Sequence, residues 1–336
     1  MTVMNYRDAL GDALLREMQR DPRVVCFGED TIGGTGCAGE SGGAWGATRD
    51  LNEVLPRQIW DAPITESAFV GAAVGAAATG LRPVVDILFV DFVGVCYDQL
   101  LNQASKLRFM SGGKASVPLV VRALTGAGMR RGAQHSAVLA PLFAHLPGLK
   151  VLAPATPADA KGLLAAAIRD DDPVVVLEPK MLYFQRGEVP DGDYIVPIGV
   201  ADTIRPGDDI TIVALGGCRS TAVAAAELLS AEGIAAEVID PRTLAPLDTE
   251  TIIASVRRTG GLVVVDESYP VCSLASEITA VVAEAGVLRT GARRITTPAV
   301  PTPFSPPLED ACLPTARDIA AAAAEILGKQ LLRPAA

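Results

Sequence analysis

The chain contains little of what marks several large classes of protein. Only 4% of its 336 residues are aromatic, two are histidine, and the six cysteines stand singly without a CxxC motif. A chain long enough to bury large cores needs no disulfide staples, so we interpret the cysteines as reduced thiols rather than a disulfide framework or a zinc site. They are Cys26, Cys37, Cys96, Cys218, Cys272 and Cys312.

Clusters of positive charge and long apolar runs are absent as well. The net charge is -10 and lysines and arginines form no run, which argues against a nucleic-acid partner because phosphates need a clustered basic face. No apolar run reaches the roughly 18 residues of a membrane span. Residues 1–21 carry arginine and aspartate where a signal peptide would be apolar. We therefore expect a cytoplasmic protein that has no membrane or nucleic-acid partner.

The chain is rich in the aliphatic residues that form the cores of layered α/β proteins. Hydrophobic residues make up 49%, and short apolar strands alternate with helical periods. Since single cores rarely grow past roughly 250 residues, the length predicts two domains. A turn-rich acidic stretch at 186–209 predicts the boundary. We predict an α/β fold of two doubly wound domains, 1–186 and a smaller 210–336, joined by a linker at 187–209.

The alternation predicts the position of most elements. Helices are predicted at 5–20, 91–108, 157–168 (capped by Thr156), 220–232, 249–259 and 274–285. Strands are predicted at 24–27, 83–90, 117–123, 173–177, 210–214, 236–239 and 262–266. The proline-rich tail at 298–314 predicts an irregular segment that runs across a surface before a last alanine-rich helix.

One carboxylate, Glu66, stands at the head of a segment, 67–80, in which nothing ionises. Alanine and glycine on every side predict a buried helix. The helix N-terminus favours the charged acid, whereas an apolar interior favours the neutral acid. Two interpretations stay open: a first-turn residue that stabilises the helix, with Thr65 or Asp61 as a nearby cap, or a carboxyl kept partly protonated for chemistry.

Two further stretches are candidate binding sites. A literal GxGxxG runs from Gly34 to Gly39, but no helical apolar period follows it, so we favour a mobile cover or subunit contact around Trp45 over a dinucleotide site. His135 follows a predicted strand, and the carboxyl ends of strands are where open α/β sheets bind ligands. A lone histidine is more often structural, and His145 is interpreted in that way.

A series of motifs, in fixed order and spacing across nearly the whole chain, resembles a known family. They are GED at Gly28–Asp30, PITE at Pro63–Glu66, DQLLNQASK at Asp98–Lys106, GAQHSA at Gly132–Ala137, HLPGLKV at His145–Val151, PADAKGLL at Pro157–Leu164 and VIDPRTLAPLD at Val238–Asp248. The chain resembles the β subunit of the thiamine-diphosphate-dependent E1 component of 2-oxo acid dehydrogenase complexes. This resemblance implies a transketolase-like pyrimidine-binding domain followed by a transketolase C-terminal-like domain.

The resemblance also implies a set of site residues. Glu66 would hydrogen-bond N1′ of the aminopyrimidine of thiamine diphosphate and so help to remove the C2 proton, and His135 would be a proton donor or orienting group for the substrate and the acyl acceptor. The other cofactor-binding positions would be Glu29, Ile64, Leu88 and Phe92. A potassium ion would be bound by main-chain oxygens near Leu119, Ala167, Ile168, Asp170 and Asp172.

The expected partners follow from the same resemblance. Thiamine enzymes usually hold Mg²⁺ and the diphosphate with a GDG sequence, which this sequence lacks, so Mg²⁺ is expected mainly on an α-type chain of an α2β2 heterotetramer. A lipoyl-bearing E2 acyltransferase is the expected acceptor of the acyl group. Two rival hypotheses remain: a nicotinamide-dependent oxidoreductase that uses Gly34–Gly39, and a non-catalytic assembly subunit. The substrate, whether pyruvate, a branched 2-oxo acid or acetoin, is not predicted.

Overall fold

A computed structural model describes residues 1–33, 43 and 45–331 of the chain. They fall into two compact units, one formed by Met1–Thr125 with Leu142–Ile198 and the other by Gly126–Pro141 with Gly199–Ala336. The single boundary predicted at 187–209 does not include the excursion of residues 126–141, which group with the second unit. That predicted linker also contains most of one strand and the whole of another.

The first unit is built on a parallel sheet. Its strands and helices are β1 (Thr2–Asn5), α1 (Tyr6–Arg20), β2 (Val24–Gly28), α2 (Leu51–Val54), β3 (Ile59–Asp61), α3 (Glu66–Ala78), β4 (Arg82–Phe89), α4 (Val93–Asp98), α5 (Ser105–Met110), β5 (Val120–Thr125), α6 (Ala140–Ala144), β6 (Lys150–Leu152), α7 (Pro157–Arg169), β7 (Val174–Pro179) and β8 (Arg186–Val189). The strands of the sheet follow the order β6-β7-β5-β4-β2-β3, with every neighbouring pair parallel. A separate antiparallel pair joins β1 to β8.

The core of the first unit lies between this sheet and the pair α1 and α7. Tyr6, Leu10 and Leu14 from α1 pack with Leu163 and Leu164 from α7. Thr156 accepts a hydrogen bond from the backbone N–H of Asp159, as the predicted cap of α7 requires. Removing such apolar side chains from water supplies most of the stabilisation of a layered fold, at about 25 cal/mol per Å² of buried apolar surface.

Helix α3 differs from its prediction. Its buried stripe consists of Glu66, Phe69, Val70, Ala73, Val74 and Ala77, and it packs toward β4 and α4. The opposite stripe, which includes Ala68, Ala72 and Gly75, is exposed. A Cβ built on Gly75 meets no atom within 4 Å, so space is open there in the single chain. The expectation of burial on every side was therefore wrong for the described part of this chain, in which nothing covers the second stripe.

The second unit is a smaller sheet with helices on both faces. Its elements are β9 (Asp202–Arg205), β10 (Ile210–Ala214), α8 (Arg219–Ala231), β11 (Ala236–Asp240), β12 (Thr243–Ala245), α9 (Thr249–Thr259), β13 (Gly261–Asp266), α10 (Leu274–Glu284), β14 (Gly291–Thr296), α11 (Pro306–Asp310) and α12 (Ala316–Ile326). The strand order is β14-β13-β10-β11-β9, parallel except for the antiparallel edge strand β9. Helix α12 packs with α8, and α9 packs with α10.

The predicted α/β class with parallel sheets is confirmed, and the predicted helices and strands match the observed ones to within a few residues. Two details differ. A π-helical turn, Gln99–Ala104, interrupts the helix predicted at 91–108. The proline-rich tail contains the short helix α11, which tolerates its prolines because they occupy the first positions, where no helical N–H bond is lost. No helix within the described ranges is long and apolar enough to cross a membrane.

Candidate active site

Carboxylates gather at the carboxyl edge of β2. Gly28, the last residue of β2, pairs in register with Asp61 of β3 on one side and with Asp86 of β4 on the other. A Cβ on Gly28 would lie 2.4 Å from the carbonyl oxygen of Asp86, so only glycine permits this close approach of the strands. The chain then continues into Glu29, which is half-buried. The GED motif therefore delivers an acid to the edge of the sheet.

Glu66 is buried, with only 6% of its surface exposed, at the first position of α3. Its carboxyl makes no hydrogen bond within the described part of the chain, and the side chain of Thr65 does not cap the helix. Its negative charge contributes to the raised pKa of the Cys96 thiol, about 12, although burial is the larger cause. A buried carboxyl without a protein partner is available to a ligand that carries a complementary hydrogen-bonding atom.

Glu29 is electrostatically coupled to the same cluster. Its pKa is raised, first by burial and then by the negative charges of Asp30, Glu66 and Asp86. Like charges that share a small region favour protonation of one of them. The structure therefore places Glu29 within electrostatic reach of Glu66 and Asp86, and burial together with these charges makes the carboxyl of Glu29 easier to protonate than an isolated one.

Leu88 occupies an unusual place in β4. Its φ is 57°, a left-handed conformation for a residue that is not glycine, and the register with β5 shifts between Asp86 and Phe89. Such a conformation costs about 1–3 kcal/mol and needs support from its surroundings. The backbone N–H of Leu88 donates to Oδ1 of Asp86 at 2.8 Å, which provides part of that support. This irregularity is a β-bulge, and it sets the direction of the chain at the end of β4.

Two more of the predicted cofactor-binding positions, Phe92 and Ile64, are apolar. Phe92 lies after β4, and its ring meets Phe89 edge-on with a centroid distance of 5.8 Å. Ile64 is 71% exposed just before α3. An exposed aliphatic side chain beside a buried acid suits a flat heterocycle that carries a polar nitrogen. The residues present therefore fit the aminopyrimidine end of the cofactor that the resemblance implies.

A buried ion-pair network supports the bulge and was missed in the sequence. Arg122 on β5 donates to both oxygens of Glu178 on β7, Nε to Oε1 at 2.7 Å and Nη2 to Oε2 at 3.0 Å, and its Nη1 lies 3.3 Å from Oδ2 of Asp86. The hydroxyl of Tyr183 also donates to Glu178. Burial raises the pKa of Asp86, and the charge of Arg122 opposes that shift. The available signal was a single charged residue inside each of two apolar strands, VVRALT and VVVLEP.

His135 lies in the second unit, on the loop between β5 and α6. It is half-buried, and its backbone N–H donates to the carbonyl oxygen of Gly132 at 3.4 Å. The next residue, Ser136, is buried, and its hydroxyl has no hydrogen-bond partner within the described part of the chain. By contrast, His145 is exposed at a position between α6 and β6.

The five positions expected to bind potassium lie in the first unit and carry hydrogen bonds of their own. The carbonyl oxygen of Leu119 accepts from the N–H of Val174 at 2.8 Å, and that of Ile168 accepts from Nε of Arg82 at 2.7 Å. Arg82 also donates to the carbonyl oxygen of Asp170. The carbonyl oxygen of Ala167 accepts from the N–H of Asp170 at 3.2 Å. Each carbonyl oxygen has a second lone pair, so these hydrogen bonds leave acceptor capacity in the segment, but the guanidinium of Arg82 already supplies a cation to two of the oxygens.

The carboxylates of the same segment are paired with cations. Asp170 accepts from Nζ of Lys150 at 2.6 Å, and Nη1 of Arg108 donates to Asp172 at 2.5 Å. Across residues 1–33 and 45–331, no cluster of three or more His, Cys, Asp or Glu side chains is placed to bind a metal. Cys26, Cys96, Cys218, Cys272 and Cys312 are free thiols in the structure.

The glycine-rich stretch is described only in part. The Gly34–Gly39 motif and Cys37 lie outside the described residues. Trp45 is partly buried, and its ring meets both Phe89 and Tyr183 edge-on at a centroid distance of 6.0 Å. The end of this stretch therefore packs on the core of the first unit, and the expected role of the stretch as a mobile cover or subunit contact stays a prediction.

The sequence of this chain matches two family models and is similar to several known proteins. Residues 2–185 match the family model described as "Transketolase, pyrimidine binding domain", and residues 199–319 match "Transketolase, C-terminal domain". Acetoin:2,6-dichlorophenolindophenol oxidoreductase subunit beta of Cupriavidus necator is 51% identical over 325 residues, which cover 95% of this chain and 96% of that protein. The 2-oxoisovalerate dehydrogenase subunit beta of Bacillus subtilis is 42% identical over 314 residues, 92% of this chain and 94% of that protein.

Two further similarities extend the comparison. The pyruvate dehydrogenase E1 component subunit beta of Rhizobium meliloti is 42% identical over 323 residues, which cover 95% of this chain and 69% of that protein. Among solved structures, a chain named "Split gene transketolase, inactive beta4 tetramer" superposes with a TM-score of 0.81 at 27% identity, covering 97% of this chain and 99% of that one.

Proposed function

This chain belongs to the transketolase-like family that includes the E1 β subunits, and we propose that it acts in a thiamine-diphosphate-dependent E1 enzyme. In this proposal the enzyme decarboxylates a 2-oxo acid or cleaves acetoin, and it transfers the acyl group to a lipoyl group carried by an E2 acyltransferase. The observation that carries the proposal is Glu66, a buried carboxyl without a protein hydrogen-bond partner at the head of α3. It stands in the PITE motif, where the resemblance puts the cofactor-activating acid.

Identity among the relatives favours acetoin as the first substrate to test. The two acetoin:2,6-dichlorophenolindophenol oxidoreductase β subunits are 51% and 46% identical to this chain, whereas the 2-oxoisovalerate and pyruvate dehydrogenase β subunits compared above are each 42% identical. Acetoin and 2-oxo acids both present a carbonyl carbon next to the bond that is cleaved. The same cofactor-activating residues therefore serve both substrate classes.

Bound thiamine diphosphate supplies the carbon nucleophile. Glu66 holds a proton at N1′ of the aminopyrimidine, a role supported by its burial at the head of α3 and by the absence of a hydrogen-bond partner for its carboxyl within the described part of the chain. Glu29, whose pKa is raised by burial and by the charges of acidic neighbours that include Glu66, would contribute to the hydrogen-bond network near the cofactor. A general acid–base group of this kind contributes about 10²–10⁴-fold to the rate.

The other residues orient the ring and handle later protons. Leu88, held in its left-handed conformation by Asp86, and Phe92 offer apolar surface to the ring, with Ile64 beside Glu66. These side chains exclude water from the edge of the sheet, which strengthens every electrostatic interaction there. His135 donates or orients a proton at the substrate and the acyl acceptor.

The proposal requires an α-type partner. The sequence contains no GDG, so the diphosphate and its Mg²⁺ are held mainly by that partner in an α2β2 heterotetramer. The exposed stripe of small residues on α3 supports a close helix contact with another chain, because glycine and alanine let backbones approach. The solved neighbour is named as an inactive assembly of four β chains. By analogy, we infer that this chain is inactive alone.

A potassium ion is a further part of the proposal. It would use the lone pairs that the carbonyl oxygens near Leu119, Ala167, Ile168, Asp170 and Asp172 leave free. Its role would be structural, tying the end of α7 to the start of β5. None of the chemistry above passes through it.

Turnover by the chain co-expressed with an α-type partner tests the proposal. We expect Mg²⁺- and thiamine-diphosphate-dependent reduction of dichlorophenolindophenol with acetoin, measured beside pyruvate and branched-chain 2-oxo acids. Nicotinamide-dependent turnover without thiamine diphosphate would instead support an oxidoreductase that uses Gly34–Gly39. Unchanged turnover after replacement of Glu66 and His135 would support a non-catalytic assembly subunit.

A further inference from the structure

Helix α11 carries a carboxylate to which the proposed reaction gives no role. Glu309 has 0% of its surface exposed, although it lies in a proline-rich tail. Its Oε1 accepts from the backbone N–H of Gly128 at 2.7 Å, and its Oε2 accepts from the backbone N–H of Arg130 at 3.1 Å. Nη1 of Arg130 donates to the same Oε2 at 2.8 Å. A fully buried carboxylate is thus satisfied by one loop, 181 residues away from it in the sequence.

The loop that binds Glu309 has a conformation suited to an anion. Gly126, Gly128 and Gly132 have φ values of 91°, 96° and 71°, and Arg130 has a φ of 57°. Backbone N–H groups that converge in alternating right- and left-handed conformations form concave anion sites. Because Arg130 is not a glycine, its conformation also needs stabilising contacts. Glu309 supplies the anion from within the chain, and charge-assisted bonds of this kind are the stronger ones.

The same loop carries His135. The N–H of His135 donates to the carbonyl oxygen of Gly132, and the N–H of Gly126 donates to the carbonyl oxygen of Ala137 at 3.1 Å. The second bond joins the two ends of the loop, and the first forms a turn within it that includes His135. Phe304, from the tail that leads into α11, lies beside Gly132, where an added Cβ would meet its ring at 3.7 Å.

We propose that Glu309 is a positioning residue for His135. Its carboxylate holds the loop from Gly126 to Ala137 in the conformation that presents the imidazole. The inference rests on the proposed role of His135 in acyl formation or transfer. It also gives the proline-rich tail a specific task, because the prolines at the start of α11 fix the helix that delivers Glu309.

Three variants of the complex with the α-type partner test this inference. Glu309→Gln keeps the shape of the side chain but replaces one acceptor oxygen with an NH₂ group, which cannot accept from Gly128 or Arg130. Glu309→Ala removes both acceptor oxygens. Asp310→Asn is the matched control, because the exposed carboxylate of Asp310 accepts from the guanidinium of Arg130 at 2.7 Å and, unlike Glu309, accepts from no backbone N–H of the described residues. We expect Glu309→Gln to lower turnover on the order of 10²-fold, as misplacement of a reacting group by about 1 Å does. Asp310→Asn should stay near wild type.

Two further readouts separate positioning from general damage. Amide hydrogen exchange at Gly128, Arg130 and His135 should become faster in Glu309→Gln. Exchange of the C2 proton of bound thiamine diphosphate should remain at the wild-type rate, because Glu66 and not His135 drives that step. A loss of C2 exchange equal to the loss of turnover, or unchanged amide exchange in the loop, would overturn the proposal.

A double variant distinguishes this inference from the function on which it rests. If Glu309 acts through His135, then Glu309→Gln combined with His135→Ala should be no slower than His135→Ala alone. Losses that multiply would show that Glu309 acts elsewhere and would overturn the inference while leaving the role of His135 intact. Full turnover of His135→Ala would instead overturn the proposed role of His135, and the positioning role with it.

Discussion

Arg122 and Glu178 form a bidentate ion pair inside the sheet of the first unit, and each side chain is 1% exposed. The pair does not stand alone, since the same guanidinium faces Asp86 and Tyr183 donates to Glu178. Asp86 in turn accepts from the N–H of Leu88. Through these contacts the interior of the sheet is connected to the left-handed bulge beside the proposed cofactor site.

Replacement of Arg122 by methionine should destabilise the protein strongly. The change leaves the buried Glu178 and the half-buried Asp86 without their cation, and breaking one side of a buried ion pair costs about 3–5 kcal/mol. Urea unfolding of the α–β complex, followed by circular dichroism, measures the loss. Adding Glu178→Gln should restore part of the stability, because the second buried charge is then removed. A single variant within about 1 kcal/mol of wild type would contradict this account of the network.

Glu66→Gln should abolish most activity while the fold is kept. The amide has nearly the same shape but does not exchange a proton at N1′, so turnover should fall about 10²–10⁴-fold, the range for removal of a general acid–base group. C2 proton exchange should fall equally, and thiamine diphosphate should still bind. Glu53→Gln, at an exposed carboxylate in α2, is the matched control. Turnover near wild type in the cofactor-saturated Glu66 variant would rule out the mechanism.

Asp21 should contribute stability that disappears in acid. Hydrogen bonds from Arg23 lower the pKa of Asp21 to about 2, from an ordinary value of 3.8. A carboxyl whose pKa is lowered by folding stabilises the protein fully above its unfolded pKa and loses that effect as pH falls through its folded pKa. Asp21→Asn should therefore be less stable at pH 7, and the difference should shrink from about pH 4 toward pH 2. A difference in unfolding free energy that is independent of pH would contradict this assignment.

Potassium should raise the unfolding temperature of the α–β complex. The carbonyl oxygens of Ile168 and Asp170 already accept from Arg82, and an ion that uses their second lone pairs would tie α7 to β5 more firmly. Thermal scans in potassium, sodium and lithium chloride at equal ionic strength measure the effect. Arg82→Lys is the useful comparison, because it keeps the charge but loses the two-armed contact. Identical unfolding temperatures in the three salts would mean that Arg82 holds this segment without an ion.

Sequence reasoning predicted the elements whose signal is local. Patterns among neighbouring residues predicted the amphipathic helix α1, the cap Thr156 and the buried strands, and the structure contains all of them. The contacts between Arg122 and Glu178, and between Gly128 and Glu309, join residues 56 and 181 positions apart, so no local pattern contains them. The excursion of residues 126–141 into the second unit was missed for the same reason.

The wrong prediction for α3, which was expected to be buried on every side, has a different cause. Its composition predicts burial on all sides, yet only the stripe facing β4 and α4 is covered within this chain. The small residues of the exposed stripe are what the proposed contact with an α-type partner would require. For the site, Glu66 lies at the start of α3 and Glu29 follows the end of β2, and the charge of Glu66 contributes to the raised pKa of Glu29. Their roles in binding the cofactor stay predictions.

The last prediction is that this chain does not hold its cofactor alone. Calorimetry should show stoichiometric, Mg²⁺-dependent binding of thiamine diphosphate only to the assembly with an α-type chain, since our proposal assigns the diphosphate half of the site to that partner. Ala72→Arg, placed on the exposed stripe of α3, should prevent assembly and with it cofactor binding, because an arginine blocks a contact between small residues. Ser230→Arg, at an exposed position of α8, is the control and should assemble normally. Stoichiometric binding to the purified single chain would contradict the half-site argument, and normal assembly of Ala72→Arg would show that the partner covers another surface.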